Sequence, residues 1–194
     1  LHHAWLQWCD QAQPARLGVL GGGAAAVELA LALHASLPRT QIHLLSAHDL
    51  LPGHPYGLAE RARRLLLARG VVLHEHTEIT GVRQQHVAAG SRPVCQLDVL
   101  VLATGAAPLP WYASSGMERD ERGFLCVTPT LQSRSHPNIL VSGDSASLQG
   151  SKKSGVYSVR HGPILAKNIT ALLQDRALTS YHPQKKALAL LATA

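Results

Sequence analysis

Apolar positions along this chain follow two rhythms, short unbroken runs and stripes at helical spacing, and in the first half the two alternate. Leu17–Leu20 is a compact apolar run of the length of a buried strand. Gly21, Gly22 and Gly23 follow, and Ala24–Ser36 has the composition of a strong helix former, with Pro38 just beyond it. Gln41–Leu45 predicts a second strand. Over Gly57–Arg69, Leu58, Ala62, Leu65 and Leu66 share one side and arginines the other, which predicts an amphipathic helix. Gly70 closes it, and Val71–His74 predicts a third strand. Strand, helix, strand, helix, strand is the βαβαβ half of a doubly wound parallel sheet.

Elsewhere the pattern changes. Trp5 and Trp8 predict a short helix leading to Pro14. From Glu78 to Leu97 alternating segments flank the turn-like Ala89–Ser91, which predicts a small antiparallel meander. The wholly apolar Val99–Leu102 predicts a strand that runs into Ala103, Thr104 and Gly105. Proline-rich Ala107–Pro110 reads as a connection between domains. Short strands are expected at Phe124–Val127 and Asn138–Ser142, then a long helix over Ser154–Leu173 and a helix-like apolar run at Ala187–Ala192. The expected class is α/β: a Rossmann-like fold with a parallel sheet, helices on its faces and a small antiparallel meander.

Composition narrows the function classes. A chain of 194 residues, 46% hydrophobic and 15% charged, can bury a core and is not disordered. The net charge of +6 is scattered, its densest groups being Arg61–Arg64 and Lys152–Lys153, so nucleic acid is not an expected partner. The three cysteines, Cys9, Cys95 and Cys126, form neither a disulfide framework nor a Cys-x-x-Cys pair, which suits a reducing cytosol. No apolar run approaches the roughly 20 residues that span a bilayer. The chain starts at Leu1 and stops in an apolar run, so both ends are expected to be cut points of a longer protein.

The chemistry-bearing motif is Gly21-x-Gly23-x-x-Ala26. Gly21 permits a tight turn after the strand, Gly23 has no side chain to block a pyrophosphate, and Ala26 lets the helix pack closely. The helix N-terminus, Gly22 through Ala25, aims unpaired N–H groups and a positive dipole end at phosphate. NAD-selective domains place an acid at the end of the second strand to bind the ribose 2′-hydroxyl. Ser46 stands there instead, with no arginine beside it, so this position leaves both NAD and NADP open. Downstream, Asn138–Asp144 reads as a buried strand ending in Gly143-Asp144, a carboxylate at a sheet edge able to accept hydrogen bonds from sugar hydroxyls.

Three features occur in fixed order: Val19–Glu28, Asp98 through Ala103-Thr104-Gly105, and Ser135–Asp144. That order resembles the pyridine nucleotide-disulfide oxidoreductase superfamily, over roughly residues 16 to 178. The stretch Ser154–Ile169 is most similar to the NADH dehydrogenase-like branch, including members fused to selenide, water dikinase. The resemblance implies an NAD(P)H- and FAD-dependent oxidoreductase. It implies an NAD(P)-binding domain at 16–105, the C-terminal part of an FAD-binding domain at 106–178, and the start of a further region at 179–194. Asp144 would bind the ribityl chain of FAD, the helix beginning near Gly155 and Val156 would face the flavin pyrimidine ring, and Glu28 would lie near the nicotinamide. Thr104 and Gly105 join the cofactor-binding set. Implied partners are an unidentified small-molecule or protein electron acceptor, a second copy of the chain, and the inner face of the membrane by peripheral contact, with a cytoplasmic location.

The chain also departs from that pattern. No second Gly-rich turn for FAD precedes Gly21, so the chain by itself is expected to hold FAD weakly and to be inactive. The redox Cys pair of the disulfide-reducing branches is absent. Gly155-Val156 replaces the Ala-Gln pair of quinone-reducing relatives, which argues against quinone reduction. Two further readings stay open: a non-catalytic regulatory nucleotide-binding module, and an intact NAD(P) domain beside a degenerate FAD half. Among the twelve histidines, His74 and His76 share a strand face, but no further ligand follows at useful spacing, so no metal is expected. Arg160 and His161 lie on the last helix, near the expected flavin position, and both a surface and a catalytic role stay open for them.

Overall fold

The computed structural model describes residues 2–10, 13–83, 85–184 and 191–193. It divides into two compact units, Leu1–Gly105 with Leu190–Ala194, and Ala106–Ala189. The helix-like run expected at 187–192 falls largely outside the described residues.

In the first unit, helix α1 (His2–Asp10) leads to strand β1 (Arg16–Leu20), helix α2 (Ala24–Ser36), strand β2 (Gln41–Leu45), helix α3 (Tyr56–Ala68) and strand β3 (Val72–His74). These bounds follow the sequence pattern within one residue wherever it was specific. Helix α2 stops where Pro38 disfavours helical geometry at Leu37, whose N–H still donates to Leu33 O. Helix α3 ends at Gly70, which has φ +77°. Strands β4 (Gly81–Arg83), β5 (His86–Ala89) and β6 (Arg92–Gln96) form an antiparallel meander, and β7 (Val99–Leu102) follows.

The main sheet has order β3-β2-β1-β7, every pair parallel. The chain therefore builds outward from β1 to β3, then returns through the meander to place β7 on the other side of β1. That reversal is the switch point of a doubly wound sheet, where the carboxyl ends of β1 and β7 open a crevice. Leu17, Val19, Ile42 and Leu44 pack under Ala26, Val27, Ala30 and Leu31 of α2 and Ala59, Ala62 and Leu66 of α3. Apolar contact of this kind contributes roughly 25 cal/mol per Å² buried and dominates the unit's stability. Trp5 and Trp8 pack half-buried against the same core. The second face of the sheet meets the meander through Leu45, Val87 and Leu97.

In the second unit a 3-10 turn at Pro110–Ser114 begins inside the expected connection. Strands β8 (Leu125–Cys126) and β9 (Ala146–Ser147) pair in parallel, and helix α4 spans Gly155–Leu173. The strand expected at Asn138–Ser142 does not form. Its backbone instead folds back on the preceding turn: Val141 N donates to Leu131 O, Ser133 N to Ile139 O, and a single bridge joins Gln132 to Leu140. Its apolar residues also point different ways, Val141 being buried while Ile139 is exposed. Asn168 anchors α4 from a fully buried position by donating to Thr130 O and Thr179 O and accepting from Thr179 N. Among the described residues no helix is long and apolar enough to cross a membrane.

Candidate functional site

The glycine turn sits at the carboxyl edge of the parallel sheet, and its three glycines do different things. Gly21 has φ +146°, and a Cβ there would lie 2.2 Å from the Ala103 carbonyl oxygen. Its N–H donates to Leu45 O, and Ala103 N donates to Leu20 O, so the turn is stitched to both neighbouring strands. A Cβ on Gly22 would fall 2.2 Å from Ser46 Oγ. At Gly23, by contrast, a Cβ would meet nothing within 4 Å. Two glycines are thus demanded by the protein's own packing, while the third opens onto free space.

That open glycine is the N-cap of α2, extended at φ −81° and ψ 179° and without a side-chain cap. Ala24 and Ala25 begin the helix, and the Ala26 and Val27 N–H groups already donate to Gly23 O, so the Ala24 and Ala25 N–H groups are the ones left for a ligand. Ala26 is fully buried, and its Cβ comes within 3.3 Å of where a Gly21 Cβ would lie, which is the close helix–strand packing its small size permits. Thr104 and the open, φ +94° Gly105 extend β7 from the same sheet edge. An uncapped helix end with a bare backbone approach has the chemistry to accept a phosphate-bearing ligand.

Ser46 follows β2 and is buried, its Oγ accepting the His48 N–H at 3.3 Å. The charges beyond it come from further along the chain. Arg63 donates to Glu75 through Nε at 2.6 Å and Nη2 at 2.8 Å, pairs with Glu60, and lies 3.9 Å from Asp49. The sequence shows no arginine next to Ser46; α3 brings Arg63 as far as Asp49, already engaged by carboxylates. The Arg63 hydrogen bonds hold the Glu75 carboxyl below the usual carboxylate range. His76 pairs with Asp49 at 3.3 Å rather than with His74. Glu28 lies a full turn into α2, and its Oε1 accepts the Ala192 N–H at 2.8 Å.

In the second unit Gly143 (φ +63°), Asp144 and Ser145 form a 3-10 turn rather than a strand end. The turn rests on α4, where a Cβ on Gly143 would come within 3.1 Å of Ser158 Oγ. Asp144 is exposed, as are Gly155 and Val156 at the start of α4, whose N-cap Ser154 makes no side-chain cap. Gly143-Asp144 and the α4 N-terminus are therefore neighbours. His161 is not a surface residue: it is 1% exposed, accepts the Gly143 N–H at Nδ1 (3.0 Å) and meets the Tyr181 ring edge-on. Burial, with the nearby Lys153 charge, pushes its imidazole down toward the neutral form. The spacing of Tyr157, His161 and Asn168 along one helix face is the linear signal of that inward placement. Arg160, beside it, bonds Gln184.

Similarity to known proteins agrees with this layout. The profile of the family described as pyridine nucleotide-disulphide oxidoreductase matches residues 3–168. Ferroptosis suppressor protein 1 of Xenopus tropicalis is 27% identical over 181 residues, covering 85% of this chain and 48% of that protein. NADH dehydrogenase-like protein YutJ of Bacillus subtilis is 26% identical over 184 residues, covering 92% of this chain and 50% of that one. The chain spans about half the length of the curated relatives it matches. Among solved structures, the water-forming NADH oxidase from Lactobacillus brevis bound to NADH superposes with a TM-score of 0.72 at 19% identity, covering 93% of this chain and 41% of that one. With the family's profile matched over most of its length and the same fold, this chain belongs to the pyridine nucleotide-disulphide oxidoreductase family.

Proposed function

We propose that residues 16–105 bind NAD(P)H and residues 106–178 supply the C-terminal part of an FAD-binding domain in a flavoprotein oxidoreductase. Bound FAD supplies the redox chemistry, taking hydride from NAD(P)H and passing electrons to a small-molecule or protein acceptor. The chain's own residues bind and orient. The backbone of Gly22–Ala25 and the α2 dipole hold the pyrophosphate, Ser46 borders the ribose end, and Thr104 and Gly105 line the far side of the crevice. Glu28 adds a carboxylate farther along α2. In the second unit Gly143 brings backbone close, Asp144 accepts from sugar hydroxyls, and the uncapped α4 terminus at Gly155 and Val156 offers a positive dipole end to the flavin ring.

The observation that carries this reading is the empty space where a Gly23 Cβ would go, at an uncapped helix N-terminus on the switch point. Gly21 and Gly22 on the same turn are hemmed in by Ala103 and Ser46. The relatives' names, an NADH dehydrogenase-like protein and an NADH oxidase, support the same chemistry. The native protein carrying this chain is expected to be yellow and to bleach when NADH or NADPH is added without oxygen. A colourless protein that takes up no FAD overturns the oxidoreductase reading.

A further inference from the structure

His43 on β2, His74 at the end of β3 and Cys95 on β6 converge where the parallel sheet meets the meander. One nitrogen from each imidazole and Cys95 Sγ all lie within 4.8 Å of one another. His43 is buried, and His74 and Cys95 are half-buried. His43 Nδ1 and His74 Nε2 stand 3.0 Å apart with ring planes inclined by only 8° and centroids 5.3 Å apart, so the rings meet edge to edge and share one proton in an N–H···N hydrogen bond. Gln41 Oε1 accepts from His43 Nε2 at 3.2 Å, which leaves Nδ1 as the acceptor of the His74 Nε2–H.

We propose that His43, His74 and Cys95 form a three-ligand site for a zinc-class transition-metal ion, with its fourth position open to water. The donor set, two imidazoles and a thiolate, is the one that borderline-soft d10 cations select. Tetrahedral bonds of about 2.0 Å to nitrogen and 2.3 Å to sulfur put the ligand atoms roughly 3.3–3.6 Å apart, so the histidine pair opens by a few tenths of an ångström and both rings turn until their nitrogens converge on the ion. Gln41 supplies the outer hydrogen bond that metal-bound histidines need for orientation. On binding, the His74 proton moves from Nε2 to Nδ1, and the Cys95 thiol releases one proton to solvent. The ion would tie β6 of the meander to β2 and β3, a cross-link where the two sheets otherwise meet through a small apolar cluster. None of this rests on the proposed redox function.

The test is Co²⁺ titration of the full chain after chelator treatment. One Co²⁺ per chain is expected, with a thiolate-to-cobalt charge-transfer band that Zn²⁺ abolishes and a melting temperature that Zn²⁺ raises by several degrees. The band should survive in the C9A/C126A double variant and vanish in C95A, whose Zn²⁺ affinity should fall at least tenfold while its far-ultraviolet dichroism stays that of the parent. His74→Gln should also lose the band. Cobalt bound without the charge-transfer band, a band lost in C9A/C126A, or C95A binding Zn²⁺ like the parent would each overturn the site. The histidines would then be a hydrogen-bonded pair only. Should C95A fail to fold, the band in C9A/C126A still decides.

Discussion

Replacing Gly23 with Asp should make the protein slightly more stable and unable to bind nicotinamide nucleotide. Gly23 is the N-cap of α2 in extended geometry, and its Cβ direction is empty to 4 Å, so an Asp side chain enters without displacing anything. There its carboxylate accepts from the first-turn N–H groups and meets the positive end of the helix dipole. Relative to glycine these effects amount to about 0.5–1 kcal/mol of stabilisation. For a unit of this size that is a rise in melting temperature of about 2–5 °C. The same carboxylate occupies the phosphate position. Two unit charges about 4 Å apart at an effective dielectric near 20 repel by about 4 kcal/mol, roughly a thousandfold in affinity. Calorimetric titration of NADH and NADPH, run beside thermal melts, reads both effects. Unchanged nucleotide affinity refutes the placement of pyrophosphate on this turn, and a collapsed melting temperature refutes the openness of Gly23.

Gly21→Ala should show the reverse balance. Its φ of +146° and the 2.2 Å approach to Ala103 O combine backbone strain with overpacking, so about 3–4 kcal/mol of stability should be lost in denaturant titration. A loss under about 1 kcal/mol contradicts that packing. His161 sets a pH response. Its folded-state affinity for protons is depressed by burial, so its contribution to stability is fully present above the unfolded value of about 6.5 and is lost as pH falls below it. The acid limb of a melting-temperature profile of the chain should start near that pH and flatten in His161→Gln, and an unaltered limb counts against the buried, Gly143-bound imidazole.

Much of the first unit could be read along the chain because its signals are local. A four-residue apolar run, three glycines and an Ala-rich segment each specify their own geometry, so β1, the turn and α2 appeared where expected. The meander was legible for the same reason, from alternation about a turn. Asn138–Ser142 misled because an apolar run becomes a strand only when another strand pairs with it. Here the backbone hydrogen bonds go to the turn at 131–133 instead. The burial of His161 is not legible along the chain, because an imidazole on an amphipathic helix looks exposed until Gly143 supplies the N–H that permits its burial.

Local propensity and spacing were enough to specify the alternating α/β order, the glycine turn and the helix that follows it. Side-chain partnerships across strands were decided only in three dimensions, since they depend on register and layer packing rather than on distance along the chain. The reach of Arg63 to Glu75, the burial of Ser46 beneath Gly22, and the meeting of His43, His74 and Cys95 all follow from β2 lying between β1 and β3 with the meander folded over it. The division among the glycines is of the same kind: three look alike in sequence, and only the neighbouring Ala103 and Ser46 make two of them structural and leave Gly23 open to a ligand.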